Sequence, residues 1–206
     1  MSEHDAQLAL CVEWGCASRS VDRAAESGDR CIVTPTPGGA LLVVVDGLGH
    51  GEKAAEAAQI AVATVHEFTD GSIISIFSRC HERLKGTRGV VMSLALINAA
   101  ERTMTWAGVG NVEGLLIRGG TGSEARKNHL IQSRGVIGDR LPPLVVSTKS
   151  MSEGDIVICF TDGIRTGFDK ALNLRSPPQQ IANAMLASHR RGDDDALVLV
   201  ARYLGS

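Results

Sequence analysis

The sequence predicts an α+β fold, with antiparallel sheets and helices on the outside. Candidate strands outnumber candidate helices, and most follow one another at hairpin-like spacing. A regular alternation of strand and helix is absent, which counts against a doubly wound parallel sheet. With four Phe, two Trp and one Tyr in 206 residues, the core has to be aliphatic. A chain of this length suits one compact domain, taken as residues 1–206.

The elements can be read in order. Leu8 to Trp14 is the first candidate strand. Leu41 to Val45 is a continuous apolar run, the pattern of a strand buried on both faces. Glu52 to Phe68 is Ala-rich and opens with Glu52, where the helix dipole favours an anion. After Gly71, the residues Ile73, Phe77, Cys80 and Leu84 recur at helical spacing. Val90 to Ile97 and Thr103 to Trp106 flank a loop of hairpin length, and Gly110-Asn111 turns into Val112 to Ile117. Leu144 to Ser147, Ile156 to Phe160 and Ala196 to Tyr203 complete the strands. Before the last of these, Ser176-Pro177-Pro178-Gln179 reads as a helix start. Ser caps, Pro fits the first helical position, and Gln reaches back. Ile181, Ala182 and Met185 supply that helix's apolar side. Thr34 to Gly39, Gly119 to Gly122 and Gly135 to Pro143 read as loops.

The formal net charge is −2, so nothing electrostatic points to nucleic acid or an anionic membrane as a partner. The longest apolar run, Ala40 to Val45, is too short to span a bilayer. Five cysteines at irregular spacing, without a C-x-x-C pair or a signal-like start, suggest free thiols in a reducing cytoplasm. The six histidines show no metal-ligand spacing.

Chemistry concentrates at three acidic spots. Asp46-Gly47 follows Leu41 to Val45 directly, and Asp162-Gly163 follows Ile156 to Phe160 after one Thr. Asp193-Asp194-Asp195 leads into Ala196 to Val200. Any one Asp-Gly pair is most often a plain turn. Three carboxylate groups at the mouths of apolar strands are different, because strand ends converge in space. Clustered carboxylates repel unless a cation lies between them. Oxygen donors without Cys or His favour Mg²⁺ or Mn²⁺ over zinc.

These segments resemble, in order, the motifs of the metal-dependent serine/threonine protein phosphatases of type 2C. Val43-Val44-Val45-Asp46-Gly47-Leu48-Gly49-His50-Gly51 is similar to their first metal motif. The stretch from Glu153-Gly154-Asp155 through Phe160 to Thr161-Asp162-Gly163-Ile164 resembles their GD-strand-TDG motif. Asp193-Asp194-Asp195 before Ala196 to Val200 resembles their last motif. Ser27-Gly28-Asp29 is similar to the early acidic motif of the bacterial sporulation and stress branch, and Gly108-Val109-Gly110-Asn111-Val112 points to its stressosome phosphatases.

The resemblance implies a four-layer α/β/β/α sandwich of two antiparallel sheets flanked by helices. It implies that Asp46 bridges two Mn²⁺ or Mg²⁺ ions, one of them also bound by the carbonyl of Gly47. Asp162 and Asp193 hold the other ion, and Asp29 binds through water. Activated water then hydrolyses phosphoserine or phosphothreonine, and the implied partners are phosphorylated scaffold and antagonist proteins of a stressosome. The chain departs from the pattern at Ala196, where relatives carry Thr or Ser. It departs again at Leu48, where many have His; His50 inherits no acid role. Arg23 precedes Asp29 at a spacing unlike that of the family's phosphate-binding Arg.

Other readings compete. Cys159-x5-Arg165 has the spacing of a cysteine-phosphatase loop, but Asp162 would stand inside the phosphate cradle. Gly47-x-Gly49-x-Gly51 lacks the dinucleotide-binding spacing. Ser133-Arg134-Gly135 and Arg190-Arg191 read as solvated charge. The rival from another class is a catalytically silent docking module on the phosphatase fold; the intact set of acidic motifs argues against it.

Overall fold

The computed structural model describes residues 11–21, 26–69, 71–119, 127–168 and 172–205. Arg23, the first three residues of the first expected strand and most of the expected loop at 119–122 lie outside them. Among these residues, ten strands form two sheets. The first holds β1 (Val12–Arg19), β10 (Ala196–Tyr203), β9 (Ile156–Phe160), β6 (Glu113–Ile117) and β7 (Lys127–His129), in that order. The second holds β2 (Asp29–Thr36), β3 (Gly39–Gly47), β4 (Val90–Asn98), β5 (Thr103–Val109) and β8 (Ser147–Ser150). Every pairing between these strands is antiparallel among the described residues. Helices α1 (Glu52–Glu67) and α2 (Ile73–Leu84) cover the second sheet, and α3 (Pro178–His189) covers the first. This is the expected sandwich. Among the described residues, no helix is long and apolar enough to cross a membrane.

Strand periodicity explains the layers. Along β3, Leu42 and Val44 point between the sheets, while Leu41, Val43 and Val45 point under α1 and α2. Along β10, Leu197, Leu199 and Ala201 enter the space between the sheets, and Ala196, Val198 and Val200 pack under α3. A strand covered on both faces has no polar side to show, hence the unbroken apolar runs.

The structure differs from the sequence expectation at four places. β2 is a full strand over residues read partly as a loop. It is an edge strand, where Pro35 costs no ladder bond. The last β-run before β9 is Ser147–Ser150, not Leu144 to Ser147. Gly110-Asn111 is not a hairpin turn, because it carries the chain from β5 in one sheet to β6 in the other. Gly110 has φ 98°, and a Cβ there would strike Val91. The expected capping box of α3 does not form. Pro177 is the N-cap, without a side-chain hydrogen bond. Gln179 instead pairs with the backbone of Cys16, its Oε1 accepting from the Cys16 N–H (3.1 Å) and its Nε2 donating to the Cys16 carbonyl (2.8 Å).

Asp155, expected within the GD-strand-TDG motif, sits at the end of β9 remote from Asp162. Its fully buried carboxylate pairs with Arg118 at 2.7 Å and accepts the amides of Gly119 (2.7 Å) and Ser152 (2.9 Å). It fastens the turn into β9. Asp155→Ala should cost about 3 kcal/mol or more, because the partners stay behind unsatisfied. A urea-denaturation midpoint equal to that of the wild type would contradict this role.

Candidate active site

Both Asp-Gly pairs need glycine for the same reason. α1 packs its backbone directly on Gly47, where a Cβ would collide with the Ala54 carbonyl. At Gly163 a Cβ would collide with the Asp195 carbonyl. The glycines therefore mark close backbone approaches at strand ends, not free turns. The Gly47 N–H is held by the Gly28 carbonyl at 3.1 Å. Register places Asp29, the first residue of β2, directly opposite Asp46 near the end of β3.

The acidic strand ends meet at one open cavity of about 550 Å³, lined by Asp46, Asp162, Asp194, Asn111, Leu48 and Arg134 among others. Of the expected residues, Asp46 and Asp162 face it. Asp29 is buried just behind, 4% exposed, and its Oδ2 accepts the Thr161 hydroxyl at 2.8 Å. Thr161 also accepts the Leu197 amide at 2.9 Å. One hydroxyl thus joins β9, β10 and β2 across the two sheets.

At the third acidic spot, the residue on the cavity is the one after Asp193. Asp193 is exposed in the turn at Gly192 (φ 95°), whereas Asp194 lines the cavity. Asp195 turns inward. It accepts the amides of Val21 (2.8 Å) and Gly28 (2.6 Å) and the Ser20 hydroxyl (3.2 Å). Three aspartates in a row leave the register open in sequence, and only the position of the β10 ladder decides which one faces the cavity.

Two cavity residues carried no site role in the sequence reading. Asn111, delivered by the crossover after Gly110, donates from Nδ2 to Asp162 Oδ2 at 2.7 Å. Arg134, read as solvated charge, stands on the cavity wall. Its neighbour Ser133 is tied to the end of β5, donating its N–H to Gly108 and accepting the Gly110 N–H on its carbonyl. Its hydroxyl donates to the Pro143 carbonyl at 3.0 Å. Such pinning suits an arginine that meets an anion.

The electrostatics follow from this packing. Burial, then repulsion from Asp29, Asp162, Asp194 and Asp195, pushes Asp46 up to about 8. Burial likewise pushes Asp29 up to about 7, against the Thr161 hydrogen bond and with repulsion from Asp195, Asp194 and Asp162. Asp162 is raised by burial and Asp194, opposed by Arg191. Asp195 behaves differently. Burial would raise it, but the Val21 and Gly28 amides and the Ser27 and Ser20 hydroxyls together outweigh burial and hold it below the ordinary carboxylate range.

The donor set fits a hard cation. Among the described residues, the acidic groups on the cavity are carboxylates, and neither sulfur nor imidazole lines it. Oxygen donors of this kind suit Mg²⁺-like ions, which take one or two carboxylates and keep several waters. The Cys159 alternative fails on geometry. Its thiol faces the core between the sheets, and burial pushes it up to about 12, far from a thiolate.

The family model for stage II sporulation protein E (SpoIIE) matches residues 36–204 of the chain. The chain belongs to the SpoIIE family. It is a serine/threonine protein phosphatase with the type 2C fold. It is 25% identical over 161 residues to the phosphoserine phosphatase RsbX of Bacillus subtilis (strain 168), covering 77% of this chain and 79% of that one. A chain solved in work on the bacterial stressosome as a modular system for secondary-messenger signalling superposes with TM-score 0.83 at 30% identity, over 93% of this chain and 99% of that one. The crystal structure of RsbX in complex with magnesium has the same fold, with TM-score 0.81 at 20% identity over 93% and 94% of the two chains.

The raised carboxylates predict a pH dependence in the metal-free protein. Folded Asp29 and Asp46 hold protons that the unfolded chain releases above the ordinary carboxylate range. Their favourable contribution is therefore full at low pH and disappears as pH rises through about 7 and 8. In EDTA, the urea midpoint should fall from about pH 5 to about pH 8, and added Mg²⁺ should restore most stability at the alkaline end. A flat profile would contradict the clustering. Asp46→Asn should raise metal-free stability at pH 8 by at least about 1 kcal/mol.

Proposed function

We propose that the chain is a cytoplasmic phosphatase domain spanning residues 1–206, hydrolysing phosphoserine and phosphothreonine on stressosome-type scaffold and antagonist proteins. The observation that carries the chemistry is the meeting of Asp46, Asp162 and Asp194 at one cavity, with Asp29 behind them. Asp46, with the Gly47 carbonyl, would hold two Mn²⁺ or Mg²⁺ ions; Asp162 and Asp194 would hold one of them, and Asp29 would act through water. Bound there, such ions supply a water of lowered pKa and positive charge for the phosphoryl oxygens.

The chain's own residues do the rest. Asn111 fixes the orientation of Asp162 through its amide hydrogen bond. Thr161 keeps Asp29 in register with Asp46. Arg134 binds the substrate phosphate, offering two parallel donors on a wall whose other charged groups among the described residues are carboxylates. The stressosome reading of the substrate rests on the similarity to RsbX and to the stressosome-associated chain.

The test is release of phosphate from p-nitrophenyl phosphate and from a phosphoserine peptide in Mn²⁺ or Mg²⁺. Turnover should vanish in EDTA. Asp46→Asn and Asp194→Asn should lose about 100-fold or more, whereas Asp193→Asn should stay within about twofold. The opposite ranking of Asp193 and Asp194 would overturn the assignment. Arg134→Ala should raise KM about tenfold, with Arg134→Lys recovering part of it. Absence of both turnover and metal binding would favour the docking-module reading.

A further inference from the structure

The two sheets each end in a strand on the same side of the sandwich: β1 closes the first sheet and β2 closes the second. These two edge strands share no backbone ladder. They meet instead through sulfur. Cys16 Sγ and Cys31 Sγ lie 2.6 Å apart, well inside the van der Waals separation of two sulfurs, and both residues are partly exposed. Cys16 is held in place from outside by Gln179, which binds both its N–H and its carbonyl. Cys31 is held by its pairing with Val44 in the ladder to β3. The remaining cysteines differ: Cys80 is buried beneath α1, Cys159 is buried in the core, and Cys11 stands at the start of β1.

We propose that Cys16 and Cys31 are an oxidation site, which a hydroperoxide converts to a disulfide stapling the edges of the two sheets and a dithiol reductant reverses. The step balances. One sulfur, as thiolate, attacks the terminal peroxide oxygen; the O–O bond breaks, the alcohol or water leaves with the proton, and a sulfenic acid forms. The second sulfur attacks the first, the S–O bond breaks, and hydroxide leaves as water with the second thiol's proton. Two thiols lose two electrons, and the peroxide gains them. Reversible pairing of this kind is the form disulfides take in a reducing compartment. The staple would sit close under the active site. Cys31 is two residues along β2 from Asp29, and Cys16 is four residues from Ser20, whose hydroxyl holds Asp195.

The experiment treats the reduced whole protein with hydrogen peroxide and reads intact mass. Wild type should become lighter by two hydrogens, with both thiols lost to alkylation, and dithiothreitol should restore them. Cys16→Ser and Cys31→Ser should each abolish the shift, whereas Cys11→Ser and Cys159→Ser should keep it. Cys16→Ala serves as the second variant if the serine form does not fold, as judged by circular dichroism. Unchanged mass with all thiols alkylatable, a link that depends on Cys11 or Cys159, or addition of oxygens without linkage would each overturn the proposal. None of these readouts depends on phosphatase activity, so the inference stands or falls apart from the functional assignment.

Discussion

Negative charge packed where water is scarce is the constraint that organises this molecule. Asp29, Asp46, Asp162 and Asp194 come from four distant stretches of chain and converge at the mouth of the cleft between two sheets. Burial and repulsion from the neighbouring carboxylates both oppose ionisation of Asp29, Asp46 and Asp162. The fold tolerates them through an unequal division of hydrogen bonds. Asp195 collects backbone amides and hydroxyls and becomes a settled structural anion that joins β10 to the segment before β2. Asp29 receives one hydroxyl, from Thr161. Asp46 and Asp194 line the cavity, where Arg134 stands on the wall and Asp194 Oδ1 accepts the Asp195 amide at 2.9 Å. The carboxylates on the cavity are the ones placed to take something from solution.

Support for that arrangement comes from the layers beneath it. Strands covered on both faces, such as β3, β9 and β10, have little freedom to slip, because a shift of one residue would exchange their two apolar faces. That rigidity fixes where each strand ends, and the strand ends carry the acids. Gly47 and Gly163 then allow a helix backbone and the start of β10 to press against the two Asp-Gly corners. Thr161 completes the link between sheets. Site and core are one construction. The thiols of Cys16 and Cys31 meet where β1 and β2, the edge strands of the two sheets, come together without a shared ladder.

Much of this was legible in the residues. β9 occurs over Ile156–Phe160 and β10 over Ala196–Tyr203, as the apolar runs predicted, and α2 follows its helical repeat from Ile73 to Leu84. Asp46 and Asp162 were readable because each stands after a buried strand. What was illegible depended on contacts distant in sequence. β2 hid because an edge strand can carry Pro35 and polar residues. Asp193 and Asp194 could not be told apart because neighbouring identical residues leave no periodic signal. Gln179 looked like a capping residue, and only the approach of β1 shows why it turns to Cys16 instead. Arg134 looked like loop charge because its pinning through Ser133 comes from β5, more than twenty residues away.

The same physics weighs on the choice between an enzyme and a silent docking module. A docking surface needs shape and exposed contacts, and it has no use for Asp46 and Asp29 held under burial and mutual repulsion. Those groups lower the stability of the metal-free protein near neutral pH, and substitution by Asn would remove the cost at once. Asp195 shows that this fold can neutralise a buried carboxylate with amides when the role is structural. Among the described residues, no amide or hydroxyl does this for Asp46. A fold that has the means to satisfy an acid, and withholds them from Asp46, is arranged for a cation and the phosphoryl chemistry that a cation supports.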